Sequence, residues 1–125
     1  MEIHKPMNWY ELKHEYKLDG KRLLPWEDWH MPFGGAWCVV RAHSSSLEHN
    51  HDEQEMFVVV SGEAVIHIGN EKRRVKKGDF IAIPPGKEHF VENTAETDFH
   101  FLTIWWDKET CENFLACRAE VTTRG

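Results

Sequence analysis

Along the middle of the chain, short runs of β-branched and aromatic residues alternate with turn-forming residues. "AWCVVRA" (36–42), "EMFVVVSG" (55–62), "EAVIHIG" (63–69), "DFIAIP" (79–84), "HFVEN" (89–93) and "DFHFLTIWW" (98–106) each predict a strand. Ser61-Gly62, Gly69-Asn70, Gly78-Asp79, Pro84-Pro85-Gly86 and Asn93-Thr94 supply the turns between them. Strands at this spacing without intervening helical patterns predict an all-β sandwich or barrel; we take the barrel, with its core over about residues 33–106. The two ends read differently. "NWYELKHEYKLDG" predicts either a short helix or an irregular N-terminal arm. "DKETCENFLACRAE" (107–120) opens on Asp107 as an N-cap and sets Cys111, Phe114, Leu115 and Arg118 at helical spacing, so a short C-terminal helix is expected. The basic run "EKRRVKK" (71–77) lies between two strand signals and reads as an exposed hairpin whose charge guards against edge pairing, in preference to a phosphate site.

Composition narrows the function. A chain of 125 residues suffices for one domain with its own core and is short for two. Its net charge of −6 argues against nucleic acid as a partner, because duplex binding rests on neutralising phosphates with Lys and Arg. No apolar h-region opens the chain and no window approaches the roughly 20 apolar residues of a membrane span, so a cytoplasmic protein without membrane association is expected. Cys38, Cys111 and Cys117 are odd in number and lack metal-type pair spacing, and are expected as reduced, mostly buried thiols.

Ligand chemistry gathers at "EHNHDEQEMFVVVSG" (48–62). In a strand, residues two apart share a face, so His49 and His51 project together; Glu55 has the same parity, and Phe57 and Val59 continue that face inward. Two imidazoles and a carboxylate at the mouth of an apolar barrel are costly to bury unpaired, and a divalent metal resolves the conflict. Taken alone, the stretch fits a solvated loop of acids and histidines equally well. Downstream, "GDFIAIPPGKEHFVEN" turns at Gly78 into a strand, turns again at Pro84 and Gly86, and opens the next strand with His89.

Together these stretches resemble the paired motifs of the cupins. His49, His51, Glu55 and Gly62 stand in the register of the first motif, and Gly78, Pro84, Gly86, His89 and Asn93 match every place of the second. The first motif normally opens with Gly where this chain has His43, so that turn is expected to be built differently, with "HSSS" supplying side-chain hydrogen bonds; the alternative puts His43 near the site. The resemblance implies a small jelly-roll barrel holding one divalent metal through His49, His51, Glu55 and His89. That set is compatible with Fe, Mn, Ni, Co or Zn, and leaves coordination positions open for a small-molecule substrate, water or dioxygen. The resemblance also implies a homodimer.

Candidate substrate contacts come from inward strand faces. Trp37, Val39 and Arg41 share one face of the first predicted strand and Cys38, Val40 and Ala42 the other; in the last, Phe99, Phe101, Thr103 and Trp105 alternate with His100, Leu102, Ile104 and Trp106. Arg41, Trp37, Phe57, His100 and Thr103 are the candidates, with Arg41 suited to bidentate binding of a carboxylate. A narrower likeness joins "LPWED", "MPFGGAWCVVRA", "HNHDEQEMFVVVSGEA" and "FLTIWWD" to the small cupin part of hydrazine synthetases. It implies zinc as the favoured metal, a redox-neutral rearrangement that forms a nitrogen–nitrogen bond on an amino-acid-like substrate, and a methionyl-tRNA-synthetase-like partner on a separate chain. Two other classes fit the same residues: an Fe(II)-dependent cupin dioxygenase, and a non-enzymatic cupin that binds a small molecule. The complete ligand set favours an enzyme.

Overall fold

Two antiparallel sheets pack face to face in the computed structural model, which describes the backbone of residues 2–124 and the side chains of residues 2–119. The strands are β1 (Lys13–Glu15), β2 (Leu18–Arg22), β3 (Gly34–Val40), β4 (Ser44–Ser45), β5 (Gln54–Ser61), β6 (Glu63–Ile68), β7 (Glu71–Lys76), β8 (Phe80–Ile83), β9 (His89–Asn93) and β10 (Phe99–Trp106), followed by helix α1 (Lys108–Arg124). One sheet runs β1-β2-β3-β10-β5-β8 and the other β4-β9-β6-β7. This is the expected all-β jelly roll with a C-terminal helix.

Alternation along the strands builds the interior. Buried Phe57 and Val59 of β5, Phe99 and Phe101 of β10, Ile66 of β6 and Val91 of β9 belong to one apolar cluster. Three of the inward faces change character along their length. Glu55 precedes Phe57 and Val59, Thr103 follows Phe101, and His89 precedes Val91; all three polar side chains are buried. The apolar middle therefore closes off one polar end of the sandwich, where the candidate site lies.

Two local expectations are corrected. The N-terminal stretch forms no helix: after a coil it pairs as the β1–β2 hairpin, whose β2 extends the larger sheet beside β3. Tyr16 and Lys17 turn this hairpin with φ of 54° and 58°, the left-handed values that a two-residue primed turn needs, here without the usual Asn-Gly signal. Residues 71–76 are themselves a strand, β7, at the edge of the smaller sheet, with only Val75 buried. Its Lys and Arg remain outward, as edge protection requires. In α1, the expected C-terminal helix, Asp107 accepts hydrogen bonds from Glu109 N and Thr110 Oγ1 as an N-cap does, and Phe114 and Leu115 are exposed. No helix among the described residues is long and apolar enough to cross a membrane.

The motif glycines and asparagine act as architecture. Gly62 has φ of 87°, and a Cβ there would fall 2.7 Å from Asp98 O. Gly78 has φ of 90° with open space around it. Buried Asn93 donates through Nδ2 to Val40 O and Thr97 O and accepts from Ala95 N, tying the end of β9 to β3 and to its own turn. Gly62→Ala incurs both left-handed strain and a backbone clash, whereas Gly78→Ala incurs strain alone. Urea unfolding is expected to show a loss of about 3 kcal/mol for Gly62→Ala and about 1 kcal/mol for Gly78→Ala.

Candidate metal centre

His49 is joined to β9 by an isolated bridge, with His49 N donating to His89 O at 3.2 Å and His89 N to His49 O at 2.9 Å. His51 follows in the irregular segment leading into β5, so the two histidines converge through a loop anchored on β9 and not through one strand face. The ring centroids of His49 and His89 are 4.4 Å apart, and those of His51 and His89 5.2 Å apart. One ligand atom from each of His49, His51 and His89 lies within 4.8 Å of the other two.

Hydrogen bonding fixes which nitrogen faces the centre. His49 Nδ1 lies 3.0 Å from Leu47 O, His51 Nδ1 3.1 Å from Glu53 O, and His89 Nδ1 3.0 Å from Lys87 O. A carbonyl oxygen only accepts, so each Nδ1 carries the proton and each neutral ring presents its Nε2 lone pair inward. Glu55 Oε1 lies 2.9 Å from His51 Nε2 and 3.3 Å from His89 Nε2, while Thr103 Oγ1 donates to Glu55 Oε2. His89 Nε2 is buried and makes no hydrogen bond. With the rings neutral, lone pairs on nitrogen and carboxylate meet here, and a divalent cation is the partner that satisfies all of them. The residues present fit a metal.

Charge balance agrees. Burial pushes the Glu55 carboxyl up, and the adjacent His89 ring, the Thr103 hydroxyl and the His51 ring together more than reverse this, holding it below the usual carboxylate value. Burial pushes His89 down, and the Glu55 carboxylate with the Lys87 carbonyl more than reverses that, leaving it above the usual histidine value. Without a cation, a proton is the substitute that the centre attracts.

The centre lines a cavity of about 720 Å³, within the range of small-molecule pockets. Its apolar walls include Leu18, Ala36, Phe57 and Phe101. The β1–β2 hairpin borders it, and Tyr16 at the hairpin tip stacks on His49 with centroids 5.2 Å apart, while Leu47 N donates to Tyr16 O at 2.7 Å.

A family model described as "Cupin domain" matches residues 36–105, a span that includes all three histidines and Glu55. The chain is a cupin. It is similar to plu4264 from Photorhabdus luminescens, at 53% identity over 96% of this chain and 99% of that one, with a TM-score of 0.83. A Cupin 2 conserved barrel domain protein from Salinispora arenicola is 34% identical over 93% and 97% of the two chains, with a TM-score of 0.79. A Thermotoga maritima structure described as a predicted oxalate decarboxylase is 30% identical over 71% of this chain and 79% of its own, with a TM-score of 0.64. An oxalate-binding protein from the same organism is 35% identical over 45% of this chain and 47% of its own length. The cupin spans about half the length of the first curated relatives it matches.

Of the candidate substrate contacts in this cupin, Phe57 and Thr103 line the cavity. Arg41, Trp37 and His100 do not, because Ala36, Cys38 and Val40 are the inward residues of β3 and Phe99, Phe101 and Thr103 those of β10. Arg41 is spent on structure, its Nε 2.8 Å from Asp19 Oδ2 and its other arm 3.0 Å from Asp98 Oδ2, which ties β2 to the loop before β10. Trp37 Nε1 donates to His100 Nδ1 at 3.3 Å on the outer face, where Trp9 meets both rings edge-on. His43 is also outside; it takes a φ of 56° in place of the family's Gly and pairs with Glu96 at 3.0 Å. The expected serine hydrogen bonds are present, Ser44 Oγ donating to Arg41 O and Ser46 Oγ accepting from Val91 N. All three cysteines are free; Cys38 is buried as expected, Cys111 only partly, and Cys117 is exposed, because α1 stands away from the barrel. Cys38 lines the cavity, but burial pushes its thiol up to about 12, so it remains a neutral thiol.

Tyr16, Arg22 and Trp105 are cavity residues that sequence reasoning missed as contacts. Once β2 is known, the alternation Leu18, Gly20, Arg22 identifies its inward face, since Gly20 and Arg22 pair with inward Cys38 and Ala36. Thr103 is a positioning residue for Glu55. Thr103→Val keeps the shape and removes the donor, and is expected to weaken metal binding by about ten-fold in chelator competition while thermal unfolding of the metal-free protein stays within a few degrees.

Proposed function

We propose that this cupin is a metal-dependent enzyme acting on a small polar substrate, with His49, His51, Glu55 and His89 as the protein ligands of one divalent ion. The observation that carries the reading is the convergence of three inward Nε2 lone pairs and the buried Glu55 carboxylate at the polar end of a cavity sized for a small molecule. Three nitrogens and one oxygen leave positions free in an octahedral shell, the mark of a centre that receives substrate. A bound ion would supply Lewis-acid polarisation of a substrate oxygen or activation of a small ligand. The chain's own contribution is orientation and exclusion. Backbone carbonyls fix the imidazole tautomers, Thr103 aims the carboxylate, and the apolar walls keep bulk water from the bound group. Similarity to an oxalate-binding protein supports a carboxylate as the kind of group the ion receives.

Elemental analysis of protein purified without added metal or chelator tests this. About one ion per chain is expected in the parent protein, falling below about a tenth in His51→Ala and His89→Ala, with chelation lowering the unfolding temperature of the parent alone. The metal's identity directs the chemistry. Zinc supports the redox-neutral rearrangement, including nitrogen–nitrogen bond formation with a separate synthetase-like partner; iron supports a dioxygenase. Metal content unchanged by both substitutions contradicts the four-residue site.

A further inference from the structure

Three cationic residues of β1 and β2 line the cavity: Lys13, Lys21 and Arg22. Two are neutralised by carboxylates on the same rim. Lys13 Nζ lies 2.6 Å from Glu15 Oε1, and Lys21 Nζ 3.5 Å from Glu11 Oε2. Arg22 differs. Among the described residues it forms no ion pair and no side-chain hydrogen bond, and its guanidinium carbon sits 5.1 Å from the centre of the Trp105 ring. The indole is a platform that holds the guanidinium over its face and leaves the N–H donors at the edge unspent.

The platform is itself built in. A Cβ at Gly34 would fall 2.0 Å from Trp105 Cε2, so glycine at 34 is what allows the indole to lie where it does. Arg22 is placed toward the centre by strand register: it pairs with Ala36, Ala36 pairs with Thr103, and Thr103 with Phe57. One row across the sheet therefore runs from Arg22 to the side chain that orients Glu55. Two strand spacings separate Arg22 from Thr103, roughly 10 Å between backbones, a gap that an arginine side chain shortens. The wall between them is apolar or small, with Ala36 and Leu18 on it.

The geometry points to Arg22 as the second anchor of the substrate site, binding an anionic group at the end of the molecule remote from the metal. The inference rests on the metal-centre reading and adds the substrate class to it: a short molecule with a metal-binding oxygen group at one end, an apolar middle and a carboxylate at the other. A carboxylate suits the site better than a phosphate dianion. Arg22 is the single unpaired cation on the rim, and Glu11, Glu15 and Glu53 stand on the same lining. One delocalised fork matches one carboxylate bidentately.

Calorimetric titration of the metal-loaded protein tests the assignment, with α,ω-dicarboxylates from oxalate to adipate, each compared with its mono-amide, and inorganic phosphate alongside. At least one dicarboxylate longer than oxalate is expected to bind about ten-fold or more tightly than its mono-amide, since a charge-assisted pair is worth that much. In Arg22→Gln this preference collapses to within about two-fold while the metal remains at one per chain. Arg22→Lys, which keeps the charge and loses the fork, retains part of the preference and serves in place of the Gln variant if that variant does not fold. A fully loaded protein that shows no preference, or keeps it in Arg22→Gln, overturns the Arg22 assignment and leaves the metal centre standing. Tighter binding of phosphate overturns the carboxylate class. A parent protein that takes up no metal removes both readings.

Discussion

Glu55 Oε1 lies 2.9 Å from His51 Nε2 and 3.3 Å from His89 Nε2, in a pocket where every imidazole has already committed its other nitrogen to a backbone carbonyl. Lone pairs facing one another in a low-dielectric interior repel unless a cation stands between them. Much of the surrounding architecture serves to hold them there. The His49–His89 bridge brings the loop before β5 against β9, the β5–β10 ladder sets Thr103 beside Glu55, and the apolar middle of the barrel closes the pocket behind them. Without a cation this end keeps a buried polar atom unsatisfied at His89, so a bound cation would couple to stability here.

The open side of the pocket follows a different logic. It is framed by a hairpin from the N-terminal region rather than by the barrel alone, and its charges are mostly paired with one another. The pairing of Lys13 with Glu15 and of Lys21 with Glu11 leaves Arg22 as the one cation on the rim without an ion pair among the described residues. On the proposed reading, a metal at the closed end and Arg22 at the rim would divide recognition, with the apolar wall between them setting length. Conserving the charge of Arg22 without its fork would retain attraction and lose geometry.

The residues of the candidate centre were legible in the sequence because they are held by local spacing. His49, His51 and Glu55 fall within seven residues, and Gly78, Pro84 and Gly86 bring His89 to them through turns whose chemistry is written in glycine and proline. The apolar core was legible for the same reason, since alternation along β5 and β10 puts Phe57 and Phe101 inside whatever their partners. Arg41 and Trp37 were misplaced because a strand's parity says which residues share a face and not which face turns inward; that is decided by packing across the sheets, and β3 turns Cys38 and Val40 inward. The β1–β2 hairpin was illegible because its strands are short and polar and its turn uses Tyr16 and Lys17 at positive φ, so Arg22 could not be placed. The Lys and Arg of β7 made an edge strand read as an exposed hairpin.

The central claim is that one divalent ion sits at the meeting point of His49, His51, Glu55 and His89. The most direct measurement is an anomalous difference map from crystals of protein purified without chelator, with data collected on both sides of the absorption edge of the metal found in solution. The account predicts a single strong peak per chain at about 2.0–2.3 Å from the three Nε2 atoms and a Glu55 oxygen. A peak placed elsewhere, such as between His67 and Glu92, with ordered and metal-free imidazoles at the centre, would contradict it.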